Sequence, residues 1–347
     1  MLTKKQVSEI KEHLDKAQNP LFFFDNDNDG LCSFLLLQRY IGRGKGFPVK
    51  TAPELTKDYF RKVRELEPDY IFILDQPEVS KEFFDEVREI NLPVVWIDHH
   101  GIDKKKIPKF VNYYNPIFNK KKSNEPVTAL CYQITNKKED MWISIVGSIS
   151  DKFVPDYYSD FRKEFKDLTI DSKDAFEIIY NSRIGEITTM FAFALMDRTT
   201  NVINMLKLLM KVKSPYDVLE ENTKTHSMQS RYNELYEKYK IIIEKAKEEE
   251  KKSGKLLFFK YGGEIGMSAE VSNKLRYLFP EKVIAVVRIK EGRASFSIRG
   301  NNIRDKAVKI IEKIEGATGG GHRDAIGAQM RLGDVEKFEE ELRKLIE

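Results

Sequence analysis

Short, wholly apolar runs alternate along this chain with segments of helical periodicity, and the apolar runs stop abruptly at charged residues. Residues 3–17 carry an amphipathic helical pattern with Thr3 placed to cap it. Leu21-Phe22-Phe23-Phe24 is short and aromatic, which predicts a buried strand. It runs into Asp25-Asn26-Asp27-Asn28-Asp29-Gly30, and an apolar helix is expected over 31–40. The alternation continues with a strand over 47–51, a helix over 55–66, a buried strand over 70–74 ending in Asp75, and a helix over 79–90. A further buried strand, 92–97, runs into Asp98-His99-His100-Gly101.

Beyond this point a loop enters a helix near 124–130. An apolar helix over 141–150 closes on Asp151. Several helices with Met- and Leu-rich faces fill 157–220, and those faces read as core. The strongly charged stretch 227–254 reads as a connecting helix stopped by Ser253-Gly254. The rest predicts a second α/β unit. It has strands at 256–259 and 283–289, an alternating antiparallel strand at 293–299, a helix, and a glycine-rich loop Gly319-Gly320-Gly321-His322.

Strand, helix, strand repetition implies a parallel sheet, and in such sheets the carboxyl ends of the strands share one edge. Three of the predicted strands end in acids or histidines: Asp25/Asp27/Asp29, Asp75, and Asp98/His99/His100. Asp151 is a candidate fourth contribution, since an Asp at a helix C-terminus opposes the helix dipole. The chain has five histidines in 347 residues, and two are adjacent at 99 and 100. Carboxylates at alternate positions repel one another unless a cation offsets them, and hard oxygen ligands in a tight loop suit Mg²⁺ or Mn²⁺. A calcium-binding EF-hand loop also begins D-x-D-x-D-G. Counted from Asp25, however, its twelfth position is Leu36 rather than Glu, and a strand precedes the loop instead of a helix. An acidic turn held only by a helix dipole is the plainer alternative.

Composition adds bounds. Hydrophobic residues make up 41% and charged residues 33%, with net charge +4, which permits a polyanionic partner without requiring one. Two cysteines without metal spacing argue against a disulfide scaffold. With no long apolar run and no apolar leader, no membrane association and a cytoplasmic location are expected. Three glycines before His322 let backbone approach a ligand closely, and with Arg323 and Arg299 they would suit a phosphate.

The set Asp25-x-Asp27-x-Asp29-Gly30, Asp75, Asp98-His99-His100, Asp151 and Gly319-Gly320-Gly321-His322 resembles the DHH phosphoesterase superfamily, in particular its RecJ-like nucleases, archaeal members included. The motifs stand in the family's order from about residue 20 to 330. The resemblance implies a catalytic domain over 1–225, a helical linker over 226–254 and a smaller DHH-associated substrate-binding domain over 255–347. It implies two divalent ions, Mn²⁺ or Mg²⁺, held by Asp25, Asp27, Asp29, Asp75, His99 and Asp151, with Asp75 as the bridge. Asp98 is then expected to orient the imidazoles, and His100 either ligates or faces the phosphate. Arg299 and the Gly319–His322 segment would contact substrate.

The implied activity is exonucleolytic hydrolysis of single-stranded DNA or RNA by activated water, in repair or replication. Ser33 and the cysteines are then structural, and Phe296 or Tyr261 are candidates to stack bases. Alternatives are a phosphodiesterase for short oligonucleotides or cyclic dinucleotides, and a replication-complex partner that binds GINS. Three departures from the family pattern are visible. Asp25 stands where many phosphatase relatives carry a His, which favours a nuclease. The chain is expected to lack the extra C-terminal nucleic-acid-binding domain of bacterial RecJ, and with it tight, processive DNA binding. Arg323-Asp324 follow the Gly-Gly-Gly-His motif where small residues are common.

Overall fold

The structure, a computed structural model, describes residues 1–51 and 54–346. Positions 52, 53 and 347, inside the expected spans 1–225 and 255–347, lie outside the described residues. The chain divides into two compact units, Met1–Ser230 and Arg231–Glu347.

The first unit begins with α1 (Lys4–Lys16). Its capping box closes as Gln6 N donates to Thr3 Oγ1 and Thr3 N donates to Gln6 Oε1. Then follow β1 (Pro20–Asp25), α2 (Asn28–Ile41), β2 (Lys45–Val49), β3 (Glu54–Leu55), α3 (Phe60–Leu66), β4 (Tyr70–Leu74), β5 (Glu78–Val79), α4 (Lys81–Glu89), β6 (Val94–Ile97) and β7 (Val111–Tyr114). Helices α5 (Val127–Thr135), α6 (Met141–Ser150), α7 (Tyr158–Glu164), α8 (Ala175–Asn181), α9 (Arg183–Leu195), α10 (Thr199–Leu209) and α11 (Pro215–Leu219) complete it. The charged stretch forms α12 (His226–Glu250).

The main sheet has the order β2-β1-β4-β6-β7, and every pairing is parallel. Helices cover both faces, which is why its strands read as unbroken apolar runs. Along β1 successive rings point to opposite faces. Phe22 and Phe24 meet Phe34 of α2, with centroids 5.5 and 5.2 Å apart, while Phe23 meets Phe83 of α4 on the other side. The second face gathers Ile71, Ile73, Val87, Val94 and Trp96 into one buried cluster.

The chain leaves β1 to build β2 on one side and crosses back to build β4 on the other. The carboxyl ends of β1 and β4 therefore flank the point where the winding reverses. Register sharpens this. Phe24 pairs with Leu74 and Leu74 with Ile97, so the next residues, Asp25, Asp75 and Asp98, come into line at one edge.

The second unit holds β8 (Leu256–Gly262), α13 (Ser268–Leu278), β9 (Val283–Lys290), β10 (Arg293–Arg299), α14 (Arg304–Ile311), β11 (Thr318–His322), β12 (Ala325–Arg331) and α15 (Val335–Ile346). Its sheet is mixed, in the order β11-β12-β10-β9-β8, with β8 and β9 parallel and the other pairs antiparallel. The molecule is thus α/β, with a parallel sheet in one unit and a mixed sheet in the other. Among the described residues no helix is long and apolar enough to cross a membrane.

Several expectations need correction. Helix α2 starts at Asn28 rather than Leu31, because Asp27 caps it by accepting from Gly30 N at 2.9 Å. Leu55 lies in the short strand β3, and the helix that follows begins at Phe60. The segment Gly319–His322 is the exposed edge strand β11 and not a loop. Phe296 packs among Phe258, Phe338 and the rest of the second core, and Tyr261 Oη accepts from Met267 N at 2.9 Å, so both are core residues.

Candidate functional site

Of the eight acidic and imidazole side chains expected at the carboxyl edge of the main sheet, seven gather into groups able to hold a metal ion: Asp25, Asp27, Asp29, Asp75, His99, His100 and Asp151. They form three overlapping groups. In each, one donor atom per residue lies within 4.8 Å of the others: Asp25/Asp27/Asp75, Asp29/His99/Asp151 and Asp75/His99/His100. Asp75 and His99 each belong to two groups, and His99 Nε2 lies 3.4 Å from Asp75 Oδ1.

Local structure explains each placement. Gly30 lets the first turn of α2 fold back onto the end of β1, since a Cβ there would lie 2.4 Å from Asp25 O. Asn28 Nδ2 donates to Thr188 O of α9 at 2.8 Å and pins the turn. Asp29 is buried, and its carboxylate accepts from Val127 N at 2.9 Å and Thr128 N at 2.6 Å at the start of α5. Thr128 Oγ1 donates back to Asp29 O at 2.8 Å. Helix α6 approaches closely at Gly147, where a Cβ would stand 2.3 Å from Thr128 Oγ1, and its cap residue is Asp151. Asp75 sits at φ 59°, a left-handed turn that redirects the chain straight out of β4.

Asp98 has no exposed surface. Its Oδ1 is 2.7 Å from His100 Nδ1, and its Oδ2 accepts from Tyr113 Oη at 3.0 Å. Asn115 Nδ2 donates to Tyr113 Oη and to His100 O, both at 2.8 Å. Tyr113, Asn115 and Thr128 escaped the sequence reading. The strand that carries Tyr113 mixes polar and aromatic positions, and Thr128 acts largely through its backbone. Gln76 escaped too, although it directly follows Asp75; its side chain hydrogen-bonds Asp25.

Electrostatics are those of a cation site. Desolvation and then Asp27 push Asp25 up to about 8, and desolvation and then Asp29 push both Asp27 to about 6 and Asp151 to about 8. Burial and the surrounding aspartates raise Asp75 well above the usual carboxylate range. Burial acts to lower His100, but the Asp98 hydrogen bond and charge prevail and raise it to about 9. Asp75 Oδ1, Asn26 Oδ1 and Gln76 Oε1 are buried acceptors with no donor among the described residues. Five oxygen-donor carboxylates, a shared imidazole and unmatched acceptors fit hard divalent cations.

In the second unit, Arg299 Nε donates to Asn273 Oδ1 at 2.7 Å. Gly319, Gly320, Gly321 and His322 pair along β12 from Ala328 back to Ala325, and their other side is the open edge of the sheet.

Residues 21–148 match the model described as the DHH family, N-terminal domain, and residues 252–347 match that of the DHHA1 domain. Among solved structures the chain is similar to RecJ of Thermus thermophilus in complex with Mn²⁺. Identity is 15% and the TM-score 0.68, over 99% of this chain and 54% of that one, so the chain spans about half the length of that protein. It is also similar to an exonuclease RecJ bound to manganese, at 15% identity and TM-score 0.65, over 100% of this chain and 95% of the other. A third similar structure is the DHH domain of a member of the s1p family of ribosomal proteins, at 15% identity and TM-score 0.69, over 99% and 89% of the two chains. These likenesses establish the fold. No curated protein matches the sequence.

Proposed function

The chain belongs to the DHH family, and from that premise we propose that it is a metal-dependent hydrolase acting on phosphodiester bonds at an end of single-stranded DNA or RNA. The observation that carries this reading is the pair of donor groups, Asp25/Asp27/Asp75 and Asp29/His99/Asp151, set side by side at the sheet edge with Asp75 close to both. Each group would hold one Mn²⁺ or Mg²⁺, with Asp75 shared. With two such ions in place, the chemistry supplied is activation of water and neutralisation of charge on the phosphoryl oxygens.

The chain's own residues do the rest. Asp98, anchored by Tyr113, holds the His100 Nδ1 proton and fixes the ring. His100 is thereby kept cationic in the metal-free site and placed to meet the anionic phosphate. Asp27 and Asp151 sit deep enough to be desolvated but keep part of their surface in solvent, whereas Asp29, Asp75 and His99 are sealed, so substrate would enter from the Asp27 and Asp151 side. In the second unit, Arg299, His322 and the glycine edge of β11 would receive substrate phosphate.

The test is end-labelled single-stranded DNA and RNA incubated with Mn²⁺ or with EDTA. Release of mononucleotides that depends on the metal supports the reading, and its absence sinks it. A substrate length series separates it from a phosphodiesterase for short oligonucleotides or cyclic dinucleotides, whose rate would fall beyond a few nucleotides.

A further inference from the structure

Between residues 103 and 122 the chain carries seven lysines (104, 105, 106, 109, 120, 121 and 122) against one aspartate, a larger surplus than the +4 of the entire sequence. All seven are exposed, and none forms a side-chain ion pair among the described residues. The nearby carboxylates are otherwise engaged. Asp103 Oδ1 accepts from Lys105 N at 3.0 Å, and Glu125 Oε2 lies 2.6 Å from the N-terminal ammonium.

Two separate loops are joined into this field, because Lys104 Nζ sits 4.2 Å over the ring of Phe118. The Phe118 ring lies 6.2 Å from Tyr113, whose hydroxyl donates to Asp98 Oδ2, and Asp98 Oδ1 holds His100. Lys104, at one end of the field, is thus linked to His100 of the acidic centre through Phe118, Tyr113 and Asp98. No exposed large hydrophobic residue lies between 101 and 122, so the field lacks the apolar anchor that a lipid surface requires. Uncompensated lysines gain most from a polyanion whose condensed counterions they displace.

We infer that this lysine field is a sequence-independent track for the phosphodiester backbone of a single strand whose end lies at the acidic centre. The inference rests on the proposed nuclease reading but has its own readout. Anisotropy of labelled oligodeoxythymidylate, short and long, is measured across salt with Ca²⁺ on the full chain. The variants are Lys104→Ala/Lys105→Ala/Lys106→Ala and Lys120→Ala/Lys121→Ala/Lys122→Ala. Mn²⁺-dependent hydrolysis of a dinucleotide, followed in parallel, reads the centre alone.

Each triple variant should bind the long strand about tenfold or more weakly at low salt, with the log–log salt slope shallower by about 2. Dinucleotide hydrolysis should persist. Unchanged affinity and slope for the long strand overturn the track. Loss of polyglutamate binding with strand affinity intact also overturns it, assigning the field to an acidic protein. If the slope responds but the wild type hydrolyses nothing, the track stands and the nuclease reading falls.

Discussion

Asp75 meets two demands at once. Its carboxylate belongs to two donor groups, and its backbone holds φ 59°, a conformation Asn tolerates and Ala does not. Asp75→Asn should therefore keep the fold, lose Mn²⁺ binding in calorimetry and abolish hydrolysis. Metal-free, it should be more stable by about 1 kcal/mol, because the cost of keeping a buried carboxyl protonated among neighbouring aspartates is gone. Asp75→Ala should lose metal as well and melt lower than Asp75→Asn, since it adds backbone strain. Equal melting of the two variants would remove the strain argument.

The raised carboxylates set a pH dependence. Asp25 and Asp151 at about 8 and Asp27 at about 6 hold protons in the metal-free fold that the unfolded chain releases near about pH 4. Their contribution to stability is full below the unfolded value and is lost as pH rises through 6 to 8. The melting temperature of EDTA-treated protein should fall across that window, and the upward shift on adding Mn²⁺ should grow with it. A shift that stays flat would contradict this account.

At the scale of elements, two glycines decide how closely helices approach the site. Gly30→Ala drives a methyl into Asp25 O, which is backbone and cannot step aside. A loss of about 1–3 kcal/mol in urea unfolding is expected, together with weakened metal binding, because the turn bearing Asp27 and Asp29 must move. Gly147→Ala meets the Thr128 side chain and Cys32 Cβ instead, and should disturb Asp29 through α5.

These elements were unequally legible in the sequence. The three strands that end in acids stood out because burial on both faces makes them uniformly apolar, and a parallel sheet then fixes where their ends meet. Helix α6 was legible to its last residue. Strand β7 was not, because Val111-Asn112-Tyr113-Tyr114 is short, partly polar and buried only at its ends. The start of α2 was hidden because Asn28 and Asp29 look like loop residues until the Asp27 cap and the donors at Val127 and Thr128 are seen. Three glycines in a row imitate a turn, and only pairing with β12 reveals β11 as an edge strand.

At the scale of the whole molecule, all six proposed ligands lie in the first unit, while the second has its own sheet and core. Residues 1–230 produced alone should therefore bind Mn²⁺ in calorimetry with affinity near that of the full chain and lose the proposed turnover of nucleic acid. A fragment that fails to bind metal although its circular dichroism shows it folded would place part of the centre elsewhere.

The bond from Asp29 to the amides of Val127 and Thr128 reaches further than catalysis. A descendant that abandoned hydrolysis could shed Asp25, Asp27 or Asp75 and relieve repulsion by doing so. To shed Asp29 it would have to uncap α5 and leave two amides stranded in the interior. In lineages that decay from enzyme to scaffold, this aspartate should be the last of the acidic set to disappear. Its survival alone would then say nothing about whether chemistry remains.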